Sequence, residues 1–338
     1  MKTKSWASIL ATTIVLSLLI ACAGAPSAQA PAAATPTAKK IKVGLILPSP
    51  ISDPAWSGPA NEGLKAVQQQ FGAEIGYAEN VQPPEFEDSF RDFASRGFDL
   101  VIGHGDQFLE PALKVAPNFP KTWFALVSYP IPNPPKNLSM HTYNGAETGF
   151  LSGVISGSLT KKNKVAAIGG VDTPLTRAGL EKVPTGVQWV GSQAQVSLSW
   201  VGDWNDMAKG KETALAAIAQ GADVVHAGAN VASVGIIDAA KDKGVFAVGW
   251  ASDTGMVAPD TVVTSVYWLH TKLIPHIAKL YIDGKLEAKG YYNTVKDGLI
   301  DIAPYRNFDS KLSKETKDKI AEAKKAIIDG KVVPEFKF

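Results

Sequence analysis

Lys42-Val-Gly-Leu-Ile-Leu-Pro48, then Ser49-Pro-Ile-Ser-Asp53-Pro-Ala-Trp56, then Ser57-Gly-Pro-Ala-Asn-Glu62-Gly-Leu64 is the stretch from which the rest of the chain can be read. Val43 to Leu47 reads as a buried strand, a short apolar run stopped by prolines. Pro48 to Pro59 is a long, proline-stiffened loop that carries an acid, Asp53, and an aromatic, Trp56. Glu62 to Gln70 reads as helix. Open α/β sheets build ligand sites from this order of strand, exposed loop and helix, at the carboxyl ends of their strands. Trp56 could equally pin the loop to the core, and the loop alone does not separate the two.

Outward from this stretch, strand-like and helix-like runs alternate. Ile75 to Ala78 is a strand, Pro84 to Arg96 a helix, Leu100 to Ile102 a strand that ends in Gly103-His-Gly-Asp106. A short helix over Leu109 to Val115 precedes a strand over Trp123 to Val127, and Ser139 to Tyr143 adds another. A helix over Thr148 to Leu159 leads to a second series: strand Val165 to Ile168, helix Leu175 to Val183, strand Val196 to Val201, helix Met207 to Ala219. Strand Val224-Val225, helix Val231 to Lys241 and strand Val245 to Val248 complete it. Such βα alternation implies parallel sheets with helices on both faces. Two similar α/β halves of this kind read as two lobes with a cleft between them, since ligands commonly bind at such interfaces.

The 338 residues allow two domains of ordinary size, with the hydrophobic (45%) and charged (20%) shares of a globular protein. Met1 to Cys22 reads as a secretory leader: Lys2 and Lys4, then an apolar run from Trp6 to Ala21 that is short for a membrane span. It ends in Leu19-Ile-Ala-Cys22, the pattern of a bacterial lipobox, in which the cysteine sulfur carries a diacylglycerol. An ordinary leader with a coincidental cysteine is the alternative. Cys22 is the one cysteine of the chain, so no intramolecular disulfide can form in an oxidising compartment. Residues 1–21 are thus the expected leader, and 22–40, rich in Ala, Pro, Ser and Thr, a tether that cannot bury enough surface to fold. Removing the leader takes two lysines from thirty-four basic residues and leaves thirty-two acids matched. That balance gives no footprint for nucleic acid.

Catalytic motifs are missing from the sequence. There is no G-x-S-x-G, no G-x-x-x-x-G-K-[ST] and no H-E-x-x-H, and His104, His141, His226, His270 and His276 lack zinc-ligand spacing. Neither a metal nor a cofactor is expected, and no catalytic residue. His104, at a strand end beside Asp106, either lines the cleft or only bonds the loop backbone. Acids at cleft edges accept hydrogen bonds from ring N–H or hydroxyl groups; Asp53, Asp106, Glu147 and Asp253 qualify, and each could instead be a surface carboxylate or a helix cap.

Asp53-Pro-Ala-Trp56 followed by Glu62-Gly-Leu64 resembles the basic membrane protein family, the purine-nucleoside-receptor-like binding lipoproteins of ABC importers. That family usually reads Asp-x-Ser-Phe-Asn-Gln, three residues, then Glu-Gly-Leu, so Trp56 stands for Phe, and Ser57 and Gly58 for Asn and Gln. Phe150-Leu-Ser-Gly153, Lys164 to Gly170, Asn205 to Lys211, Gly221 to Val225 and Gly244 to Gly249 extend the likeness over nearly all of the chain after the leader. The resemblance implies a two-lobed periplasmic-binding-protein type I fold: two doubly wound parallel sheets joined by a hinge. It assigns 41–147 plus 251–285 to one lobe and 148–250 plus 286–338 to the other, with a strand over Val262 to Val266 and a helix over Leu269 to Tyr281 in the first. The chain from Lys289 would cross back, and Lys311 to Asp329 would close the second as a helix.

It also implies a role for Trp56 and Trp204, which stand where the family stacks aromatics on both faces of a purine, with Asn205 beside them. Stacking contributes about 1–3 kcal/mol per base. Two departures bear on the ligand. The family often reads Gly-Val-Asp-x-Asp near the ribose, where this chain reads Gly249-Trp-Ala-Ser-Asp253. Its basic residue after Thr-Ser is also missing, since Val266-Tyr-Trp268 follows Thr264-Ser265. A free base or another flat heterocycle therefore stands level with a nucleoside. The expectation is a monomeric, lipid-anchored, extracytoplasmic binding protein, not an enzyme, that delivers a small purine-like solute to an ABC permease and ATPase. A sensor subunit for a membrane receptor, or a secreted purine hydrolase, are the rival readings.

Overall fold

Residues 40–53 and 56–335 are described by the computed structural model. The expected leader, Cys22 and the tether through residue 39 lie outside the described residues.

Strands and helices alternate from the start: β1 (Lys42–Ile46), α1 (Ser57–Phe71), β2 (Glu74–Ala78), α2 (Phe86–Ser95), β3 (Leu100–Gly103), α3 (Leu109–Val115), β4 (Trp123–Leu126) and β5 (Leu138–Tyr143). The second series is α4 (Gly145–Leu159), β6 (Lys164–Gly169), α5 (Pro174–Leu180), α6 (Val183–Trp189), β7 (Gln195–Trp200) and α7 (Met207–Ala219). It continues through β8 (Val224–Gly228), α8 (Ala232–Lys243), β9 (Phe246–Ala251) and β10 (Val262–Trp268). The chain ends with α9 (His270–Ile282), β11 (Gly290–Asn293), β12 (Ile300–Ile302) and α10 (Lys314–Ile328).

Two sheets result, and their strand orders repeat. The first runs β2-β1-β3-β4-β5-β11, parallel throughout, and the second β7-β6-β8-β9-β10-β12, parallel except where β12 runs against β10. In each sheet the chain steps one way from its first strand and then back past it. The loops after β1 and β3, and after β6 and β8, therefore diverge and leave a crevice at the carboxyl ends. The apolar run of β1 is explained by position: Val43, Leu45, Ile46 and Leu47 are wholly buried, because an interior parallel strand is covered on both faces.

Local chemistry fixes the helices around it. α1 begins at Ser57, earlier than the expected Glu62, because Pro59 falls in its first turn, where a missing N–H costs nothing. Gly63 of the Glu-Gly-Leu motif is the point where α1 meets α9. A Cβ there would lie 2.8 Å from the His270 carbonyl oxygen. α4 is buried all round except at Gly157 and Ser158, and the Asn144 side chain caps it by accepting from the Glu147 amide at 3.2 Å. Where one helix over Leu175 to Val183 was expected there are two, since Pro184 starts a new helix in α6.

One expected pairing is overturned. The strand over Val262 to Val266 does not join the first sheet; β10 pairs in parallel with β9 in the second, from Val262 opposite Ala247 to Tyr267 opposite Ala251. Its apolar sequence suits the interior of either sheet, and the connection from β9 is short enough to return to the same one. The chain crosses to α9, against α1, only after Trp268. β11 then pairs with β5 in the first sheet, and β12 returns to the second.

Candidate ligand-binding site

Loops at the carboxyl ends of both sheets surround a cleft of about 900 Å³, the size of a small-molecule site. The first sheet contributes the loop after β1 with Asp53 and Trp56, Gly105 to Gln107 after β3, and His141 to Tyr143 from β5. The second contributes Thr173 and Thr176 at α5, Trp204 and Asn205 after β7, Asn230, Val231 and Ser233 around the start of α8, Trp250 to Ser252 and Thr254 after β9, and Trp268. Four of the expected site residues besides Trp56 and Asp53 separate here: Asp106, Trp204 and Asn205 line the cleft, whereas His104 does not.

Aromatic rings form a chain across it. Trp56 lies 4.5 Å from His104 and 4.8 Å from His270, ring centroid to centroid, and meets Trp268 edge-on at 6.3 Å. Trp268 stacks on Tyr143 at 4.7 Å, with planes 8° apart, and meets Trp250 at 4.7 Å. Trp250 and Trp204 are nearly parallel, 8° apart, with centroids at 6.5 Å. Trp204 is seated over Gly170, where a Cβ would fall 2.4 Å from the indole ring. Polar tips hold the chain in place. The Trp56 indole donates to the His104 carbonyl at 3.0 Å, and the Trp268 indole to the Thr148 hydroxyl at 3.1 Å. The Tyr143 hydroxyl and His270 Nδ1 share a bond of 3.0 Å.

Burial keeps the imidazoles behind these rings neutral. His104 is completely buried, its pKa pushed well below the ordinary value by desolvation and then by His270. His270 and His141 are pushed down to about 3 by desolvation. His104 thus supports Trp56 from behind rather than facing the cleft.

The expected carboxylates divide by what they touch. Asp53 reaches the start of α1: its carboxylate accepts from the Ser49 hydroxyl at 2.7 Å, the Trp56 amide at 3.3 Å and the Ser57 amide at 3.4 Å. It both lines the cleft and caps the helix. Asp106 is exposed to the cleft, with the Tyr129 amide at 3.3 Å, and the surrounding protein raises its pKa by desolvation. Glu147 lies outside the cleft lining. It is buried at the start of α4 and accepts from the Val295 amide at 2.7 Å, so it ties α4 to the segment between β11 and β12. Asp253 also lies outside it, held in a two-pronged pair by Arg306 at 2.9 and 2.5 Å. Both residues were expected at the ligand, and each has a structural partner.

Trp250 and Trp268, which stand out in the sequence only as departures from the family pattern, are also walls of the cleft. The signal was there, since each indole sits at the carboxyl end of an interior strand. Ala251, between Trp250 and Ser252, has φ of 59°, and Asn230 has φ of 42°. Such left-handed backbone in residues other than glycine is uncommon and concentrates at functional loops.

Residues 40–337 match the family of PnrA-like ABC transporter substrate-binding proteins. The chain belongs to this family. A purine-binding protein of Brucella abortus is 30% identical over 289 residues, covering 83% of this chain and 81% of that protein. Two solved structures share the fold. A transcriptional activator of the comK gene from Bacillus halodurans has a TM-score of 0.77 at 23% identity, over 87% of this chain and all of that one. A solute-binding protein of an Aeropyrum pernix K1 ABC transporter has 0.74 at 19%, over 88% and 94%. As a PnrA-like substrate-binding protein, the chain carries Trp250 and Ala251 at the end of β9, where the resemblance leads us to expect Val and Asp. Among the described residues no helix is long and apolar enough to cross a membrane.

Proposed function

We propose that the protein binds a purine nucleobase, a nucleoside or a similar flat heterocycle in this cleft, and delivers it to the permease and ATPase of an ABC importer. The observation that carries the reading is the aromatic lining contributed by both sheets: Trp56 and Tyr143 from the first, Trp204, Trp250 and Trp268 from the second. Indole faces stack on flat rings with little regard to substituents, each contact contributing about 1–3 kcal/mol. The similarity to a purine-binding protein supports the same class of ligand. Asp53, Asp106 and Asn205 would take the ligand's polar edge.

Each sheet with its helices acts as a lobe, and the lobes close over the solute, with no bond made or broken. A ligand that touches aromatics on both sheets favours the closed arrangement over the open one. Cys22, lipidated, holds the protein on the extracytoplasmic face of the membrane through the Ala- and Pro-rich tether. Cys22→Ala should release it from membranes and leave ligand affinity unchanged. Wild-type protein recovered wholly soluble and unacylated from its native host would overturn the anchor. The ligand itself is tested by native mass spectrometry of the protein as purified: a retained flat heteroaromatic is expected, and a retained sugar or aliphatic solute would contradict the reading.

A further inference from the structure

The charges that line the cleft are of one sign. Among its described lining residues there is no lysine and no arginine, while Asp53 and Asp106 both contribute carboxylates. The one histidine in the lining, His141, is held neutral by burial. Arg306 is already engaged with Asp253, outside the lining. The aromatic lining adds to this bias. Indole and phenol rings present an electron-rich face, and a cation over such a face is attracted by the ring quadrupole, most strongly when water is excluded. Trp56, Trp204, Trp250, Trp268 and Tyr143 all line the same space.

The two acids differ in what already satisfies them. Asp53 spends its oxygens on the Ser49 hydroxyl and on amides at the start of α1, a positive helix end. Asp106 meets the Tyr129 amide at 3.3 Å and the Ser128 hydroxyl. A neutral base would stack on the indoles yet offer Asp106 only a neutral donor. A positively charged ring satisfies the wall and the acid together.

We infer that the ligand of this cleft is a flat heteroaromatic cation, with a quaternised or protonated ring nitrogen, stacked on the indoles with its charge directed toward Asp106. The inference rests on the flat-ring reading above and narrows it to one charge state.

Two matched pairs test it by calorimetric titration of the mature protein: 1-methylnicotinamide against nicotinamide, and 7-methylguanosine against guanosine. In each pair the ring is nearly the same and, at mildly acidic pH where 7-methylguanosine keeps its N1 proton, only one member carries the added charge. The cation should bind about tenfold tighter than its neutral partner. Asp106→Asn should remove most of that preference, weakening the cation of each pair far more than its neutral partner. Equal binding within the pairs, or tighter binding of the neutral members, overturns the charge and leaves the flat-ring reading standing. No binding by either cation overturns it too. Guanosine and nicotinamide then report on the flat-ring reading separately.

Discussion

The Trp56 indole N–H donates to the His104 carbonyl at 3.0 Å, so the ring that heads α1 is fastened to the end of β3. His104 is completely buried, and a carbonyl there that loses its donor has no water to replace it. Trp56→Phe should therefore cost about 1 kcal/mol of folding stability by urea titration, while keeping most of the stacking surface. Trp56→Ala should cost more in both stability and binding. A Phe variant as stable as wild type would mean that this bond contributes nothing.

Trp250 is a wall of the cleft. It lies parallel to Trp204 and against Trp268. Trp250→Val should weaken ligand binding by about 1–3 kcal/mol, roughly ten- to a hundredfold, by calorimetry. Unchanged affinity would remove Trp250 from the site and leave it a packing residue.

Ala251 holds a left-handed φ of 59° at the cleft. An alanine there costs about 1–2 kcal/mol relative to ordinary backbone, which glycine largely avoids. Ala251→Gly should be neutral or slightly stabilising in a urea titration. Asp tolerates the conformation better than most residues, so Ala251→Asp should fold. It should also shift preference from guanine toward guanosine, because a charged acceptor for a sugar hydroxyl contributes about 1.5–3 kcal/mol. No change in that ratio would place position 251 away from any sugar.

Buried Glu147 gives a pH dependence of defined sign. Desolvation raises its pKa from 4.5 to about 7. Below 4.5 the folded and unfolded chains both hold the proton. Between there and about 7 only the fold keeps it, so this group's contribution to stability falls as pH rises through that window. The shift corresponds to a change on the order of 3 kcal/mol. Buried histidines act in the opposite sense: His226 is pushed down to about 4, so the fold keeps it neutral and stability is lost on acidification below its ordinary value. Glu147→Gln keeps an acceptor for the Val295 amide and isolates the first effect. The difference in stability between variant and wild type should widen in the variant's favour from pH 5 to 7. A constant difference would mean that Glu147 titrates as an ordinary surface acid.

The sheets were legible because their signals are local. The apolar run at Val43 to Leu47, the helix over Met207 to Ala219 and the alternation between them follow from periodicity and from prolines. The placement of β10 was not legible: an apolar strand fits the interior of either sheet, and only its partner, β9, decides. The site divided in the same way. Trp56 and Trp204 were readable as aromatics on loops after strands. The partners of Glu147 and Asp253 were not legible, because a carboxylate near a strand end looks the same whether it meets a ligand, the Val295 amide or Arg306. Those partners lie 148 and 53 residues away in sequence.

The direct test is a calorimetric titration of the solute retained by the purified protein, or failing one of adenine, guanine and their nucleosides, against wild type, Trp56→Ala and Trp204→Ala. These indoles come from different sheets and line one cleft. If both hold the ring, each variant should bind roughly ten- to a hundredfold more weakly while remaining folded. Two folded variants that bind as tightly as wild type would contradict a ligand clamped between the sheets.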